Sequence, residues 1–168
     1  MLIKYDECKK KAPQINWDNI EMFKPSKTGV HEITNISVEE IIPYIDWSPF
    51  FWTWELKGTY PKIFENDKYG KQAKELFDDA QTLLKKIAKE NIFKPKAIYG
   101  IWPAHSEDDS VHLYKDPEMT QKIESLHFLR QQTGKSEQKS LADFVAPRGY
   151  NDYCGAFVVT AGKEVEEY

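Results

Sequence analysis

The sequence predicts an α+β fold, an antiparallel sheet with flanking helices. Two observations carry this reading. One long amphipathic helical segment occupies the middle of the chain, and four short segments of strand character follow it, separated by turn signals and one brief helical turn. Helices gathered before hairpin-linked strands give an antiparallel sheet rather than alternating βαβ units. At 168 residues the chain is long enough for one domain with a real core.

Residues 1–36 mix charges, Pro13, Pro25, Gly29 and isolated apolar residues without a period, which reads as an extended N-terminal arm or a linker. Trp17 and Phe23 are the residues that could anchor it. The folded domain is expected over residues 37–168. Ser37 offers a helix N-cap, and Glu40 three residues on completes the capping-box spacing ahead of Ile41 and Ile42. Ser48-Pro49 reads as a second helix start, with proline at the first helical position, where its missing N–H costs nothing. These two short helices place Asp46 in the tight connection between them.

The clearest helix covers residues 67–91. Ala73, Leu76, Phe77, Ala80, Leu83, Leu84, Ile87 and Ala88 recur at three- and four-residue steps and form one apolar stripe. The opposite face, with Lys74, Glu75, Asp78, Asp79, Lys85, Lys86 and Lys89, is a solvated one, and lysines in the last turns suit the negative end of the helix dipole. Residues 97–102 form a short run of β-formers, and residues 111–114 alternate. The acidic turn Glu107-Asp108-Asp109-Ser110 between them makes a hairpin. Residues 123–129 alternate again, residues 140–144 suit a short helical turn before Pro147, and residues 153–160 make a buried fourth strand. Glu164-Val165-Glu166-Glu167-Tyr168 resembles the first turn of one more helix.

Hydrophobic residues at 40% and charged residues at 30% describe a globular protein, and five Trp, nine Tyr and nine Phe make its core aromatic. A net charge of −4 provides no electrostatic case for nucleic acid, which needs clustered Lys and Arg. Cys8 and Cys154 are far apart, with no C-x-x-C, so reduced thiols in a cytoplasmic protein are the plain reading. No window approaches the roughly 20 apolar residues of a membrane span. His31, His105, His112 and His127 lie on different elements without ligand spacing, so no metal centre is expected. Phosphate loops, dinucleotide fingerprints and nucleophile elbows are missing from the sequence.

The candidate site residue is Asp46. It stands in Pro43-Tyr44-Ile45-Asp46-Trp47-Ser48-Pro49-Phe50-Phe51-Trp52-Thr53-Trp54, one carboxylate in a dense aromatic run. A charge within such a cluster needs a partner or water. Asp46 either marks the rim of a pocket or caps the helix that begins beside it. Arg130 could bind a carboxylate or satisfy carbonyls in a loop. Asp143 suits a turn built on backbone N–H bonds, and Cys154 a small core position.

Five stretches stand out in order: Tyr44-Ile45-Asp46-Trp47-Ser48-Pro49-Phe50-Phe51, Gly58-Thr59-Tyr60-Pro61-Lys62-Ile63, Leu129-Arg130-Gln131-Gln132, Leu141-Ala142-Asp143-Phe144-Val145-Ala146-Pro147 and Gly155-Ala156-Phe157-Val158-Val159-Thr160. Together they resemble the activation domain of cobalamin-dependent methionine synthases. The resemblance implies a domain that binds S-adenosylmethionine, with Asp46 contributing to that binding. Its methyl group restores methylcobalamin by reductive methylation, with cobalamin held by a neighbouring cobalamin-binding domain and the electron supplied by a flavodoxin-type donor. A carboxylate suits a ligand bearing an ammonium, a sulfonium and ribose hydroxyls. The family's second ligand-binding motif, Arg-Pro-x-x-Gly-Tyr, has no counterpart here, so the expectation is the N-terminal part of an activation domain, inactive alone. The alternative is a stand-alone binding module that docks to a corrinoid protein.

Overall fold

The structure, a computed structural model, describes residues 2–167; Tyr168, which closes the expected last helical turn, lies outside them. The α-helices among the described residues are α1 (Tyr5–Lys9), α2 (Val38–Ile41), α3 (Trp47–Thr53) and α4 (Gly70–Glu90). The strands among them are β1 (Gly29–Ile33), β2 (Lys96–Glu107), β3 (Ser110–Tyr114), β4 (Lys122–His127) and β5 (Asp152–Thr160). They form one sheet in the order β1-β2-β3-β4, with β5 also paired to β2. The β2/β3 and β3/β4 pairs are antiparallel, with Ala104 opposite Leu113, His112 opposite Ser125 and Ser110 opposite His127. The fold is the expected α+β class.

The chain forms two compact units, residues 1–31 with 98–157 and residues 32–97 with 158–168. In the first, one face of the β2–β4 hairpins buries Ala104, Val111, Leu113 and Ala142 beneath Trp102, Leu126, Phe128, Val145 and Cys154. Strand alternation produces this face, because every second residue of β3 points to it. The N-terminal residues belong to this unit. Gln132 Nε2 donates to Ile3 O (2.8 Å), the Gln138 N–H to Lys11 O (2.9 Å) and Tyr5 Oη to Asp109 Oδ2 (2.7 Å), while Cys8 is fully buried. Trp17 packs on Tyr150, whose hydroxyl bonds Asp18. Phe23 is 83% exposed, so of the two expected anchors only Trp17 engages.

In the second unit the stripe of α4 closes an aromatic core of Trp47, Phe51, Leu56, Ile63 and Ala73, with Phe77, Leu76, Ala80 and Leu84 packed against it. Helix α4 begins later than its periodicity suggests. Asn66 Oδ1 takes the N–H groups of Lys68 and Tyr69 (both 3.0 Å), holding residues 66–69 in a turn before Gly70. It ends at Asn91, whose left-handed backbone (φ 49°) lets Asn91 N–H and Ile92 N–H reach back to Ala88 O and Ile87 O. The Ser37–Glu40 capping box starts α2 as expected. Pro49 is not at the first helical position of α3: Asp46 is the cap and Trp47 the first residue, so Pro49 is the third.

Candidate functional site

The segment around Asp46 sorts its aromatic residues by helical geometry. Trp47 and Phe51, four apart on α3, turn inward and are buried, with Phe50 half-buried beside them. Tyr44, Trp52 and Trp54 stay at the surface. Trp47 meets Phe77 edge to face, with centroids 4.7 Å apart, so the inward face is anchored on α4.

Asp46 itself is exposed and caps α3: Oδ1 accepts the Ser48 N–H at 3.0 Å. Of the two readings of Asp46, the structure shows the cap. One oxygen satisfies a helix N–H, while the exposed carboxylate remains open to a cationic or hydroxyl-bearing ligand. The Gly58–Pro61 stretch folds back on this helix. Trp52 Nε1 donates to Gly58 O (2.7 Å), and the Tyr60 N–H donates to Ser48 Oγ (3.1 Å). Tyr60 stacks on Phe77 with centroids 5.5 Å apart. Glycine is required at position 58, because a Cβ there would lie 2.8 Å from Ile63 Cγ1. Ser48, which the sequence offers only as a helix-start residue, is what ties Tyr60 to α3; its spare hydroxyl at the second helical position is the only signal of that.

Arg130 meets two carboxylates and a loop carbonyl. Buried, it donates from Nε and Nη2 to Asp109 Oδ1, from Nη1 and Nη2 to Asp143, and from Nη1 to Gln138 O (2.7 Å). Those bonds use all five guanidinium N–H groups. Bonds to Asp143 hold its pKa above the usual arginine range against the opposing effect of burial, with Asp109 adding to the rise. Burial pushes the Asp109 carboxyl up, but bonds from Arg130 and Tyr5 outweigh it and leave the group below its ordinary value. Asp143 Oδ2 also takes the Ser140 N–H (2.8 Å), fixing the Leu141–Phe144 turn as its residue type suggests.

The histidines are engaged in the fold. His31 stacks on Tyr99, and His105 Nε2 meets Tyr114 Oη at 3.0 Å. His112 Nδ1 and His127 Nδ1 pair with Ser125 Oγ and Ser110 Oγ, both at 2.8 Å. Among the described residues no three His, Cys, Asp or Glu side chains are placed to hold a metal, and no helix is long and apolar enough to cross a membrane.

Comparison with known proteins places this geometry. Residues 37–168 match the family "Vitamin B12 dependent methionine synthase, activation domain". Among solved structures the chain is similar to the MetH reactivation domain bound to AdoHcy, with 37% identity and a TM-score of 0.84. That likeness covers 99% of this chain and 52% of the other, so the chain spans about half of the solved domain's length. On the extent of the family match and the agreement in fold, the chain belongs to the activation-domain family of vitamin B12-dependent methionine synthases.

Proposed function

We propose that this chain is the N-terminal part of a methionine synthase activation domain and takes part in S-adenosylmethionine binding through Asp46. The observation that carries this is the exposed carboxylate of Asp46, held by its bond to Ser48 N–H within the segment that most resembles the family. The similar MetH domain is bound to AdoHcy, the molecule S-adenosylmethionine becomes once its methyl has left. An ammonium, a sulfonium and ribose hydroxyls are all groups an exposed carboxylate can meet.

In this reading the domain positions the methyl donor in a cytoplasmic methyltransferase, and the cobalt chemistry belongs to cobalamin in the parent enzyme's cobalamin-binding domain. The overall reaction is a reductive methylation. In the parent enzyme one electron from a flavodoxin-type donor would reduce cob(II)alamin and the methyl of S-adenosylmethionine would make it methylcobalamin, the C–S bonding pair staying on the departing sulfur of AdoHcy. The protein's own contribution is orientation: Asp46 fixes one polar end of the ligand, and the rigid α3/α4 core fixes Asp46.

Calorimetric titration of the chain with S-adenosylmethionine, and separately with AdoHcy, tests this. Asp46→Asn keeps a capping oxygen and removes the charge, so it should weaken binding about tenfold, the scale of one charge-assisted hydrogen bond. Equal weakening for both ligands assigns Asp46 to the ammonium or ribose they share; weakening for S-adenosylmethionine alone assigns it to the sulfonium. Wild-type affinity in Asp46→Asn, or no saturable heat from the wild-type chain, overturns the proposal.

A further inference from the structure

Ser48 directs its two polar groups to different parts of the chain. Its N–H reaches Asp46 Oδ1 (3.0 Å), and its hydroxyl oxygen accepts the N–H of Tyr60, 12 residues on, at 3.1 Å. The second bond does nothing for the helix, which Asp46 already caps. It ties down the Gly58–Pro61 loop, which is held elsewhere by Trp52 Nε1 on Gly58 O (2.7 Å) and by the Tyr60 ring on Phe77. Tyr60 remains 41% exposed and Trp52 55% exposed, so the loop and α3 present two aromatic surfaces in the same part of this unit.

We propose that Ser48 is a positioning residue for S-adenosylmethionine: its hydroxyl locks the Tyr60 loop to the turn that carries Asp46, so carboxylate and loop meet the ligand as one preorganised element. The proposal rests on the assignment of Asp46 above. Its physical basis is that a loop fixed before binding pays less ordering entropy on binding. The exposed face of Tyr60 suits the cationic or aromatic part of such a ligand.

The test compares Ser48→Ala, Ser48→Thr and Asp46→Asn in the full chain, reading the S-adenosylmethionine Kd by calorimetry and the hydrogen exchange of the Tyr60 amide with and without ligand. Ser48→Ala should raise Kd about fivefold, the fold-change of one net hydrogen bond. Ser48→Thr, which keeps the acceptor oxygen, should restore the wild-type value. The Tyr60 amide, which already donates to Ser48 Oγ without ligand, should be protected in free wild type and Ser48→Thr and lose that protection in Ser48→Ala. Trp52→Phe, which releases the same loop from its other tie, should act in the same direction and serves if Ser48→Ala does not fold. Wild-type affinity in Ser48→Ala alongside a weakened Asp46→Asn overturns the role of Ser48 and leaves Asp46 standing. Equal loss in Ser48→Ala and Ser48→Thr also overturns it, because the hydroxyl is then not the cause. If Asp46→Asn binds as wild type, or the wild-type chain does not bind, both assignments fall.

Discussion

Arg130 shows how a single residue in a family motif can belong to the scaffold. Its guanidinium is enclosed by two carboxylates and a carbonyl, and Asp109 in turn holds Tyr5 of α1. Removing one member of a buried ion cluster leaves the others charged and unpaired, the costly case. Arg130→Ala should therefore destabilise the chain by about 3–5 kcal/mol in denaturant titration, while Asp143→Asn, which keeps an acceptor, should cost less. Acid should expose the same chemistry. With its folded pKa held down, Asp109 contributes stability above its unfolded value of about 4 that is lost as pH falls through the folded value. His112 acts at higher pH. Burial first, then Lys122 and His105, lower its pKa against the opposing pull of Glu107, so stability should begin to fall below about pH 6.5, as the unfolded imidazole takes up its proton first. Melting temperatures from pH 8 to pH 3 should decline in two stages. His112→Gln should flatten the upper one and Asp109→Asn the lower; an unchanged profile in either variant would refute its assignment. The role of Asp109 was not legible in the sequence, because its acidic turn looks solvated and its partner lies 21 residues away.

Elements with a strong local period were legible, and those defined by distant partners were not. The stripe of α4 and the alternation of β3 announce themselves, because burial on one face imposes the period. Strand β2 runs on to Glu107, past the expected end at residue 102: Pro103 and the residues after it have little strand propensity, and residues 104–107 are held by pairing with β3. Helix α1 and strand β1 were read as arm, since five residues each are too short to show a period. In the site, Asp46 was legible as cap or rim and is both exposed and capping; the link through Ser48 to Tyr60 needed the folded loop. The start of α4 makes a further prediction at this scale. A Cβ at Gly70 would press on the Phe64 carbonyl, which is backbone and cannot rotate away. Gly70→Ala should then lose about 1–3 kcal/mol, the range of overpacking, although alanine is the better helix former. A gain in melting temperature from this substitution would show that the Lys62–Glu65 turn can move aside.

For the whole molecule the telling strand is β5. Its sequence reads as buried, three consecutive β-branched or aromatic residues in an apolar run, yet Phe157, Val158 and Val159 are 75%, 73% and 64% exposed. Consecutive strand residues point to opposite faces, so both faces of β5 are open here. Among the described residues β5 pairs with β2 alone, which leaves its other edge without a strand partner. An unpaired edge bearing exposed apolar side chains is a template for further pairing. A net charge of −4 spread over 168 residues offers little repulsion against it. The chain should associate reversibly as concentration rises, as followed by light scattering. Phe157 and Val159 share a face, so Phe157→Lys combined with Val159→Lys should keep the chain monomeric at concentrations where wild type associates, without lowering its melting temperature. A wild-type chain that stays monomeric throughout would show that the β5 edge is protected despite its exposure. A double variant that still associates would move the contact to another surface, the apolar groove lined by Val38, Ile41, Leu84 and Pro95 being the next to mutate.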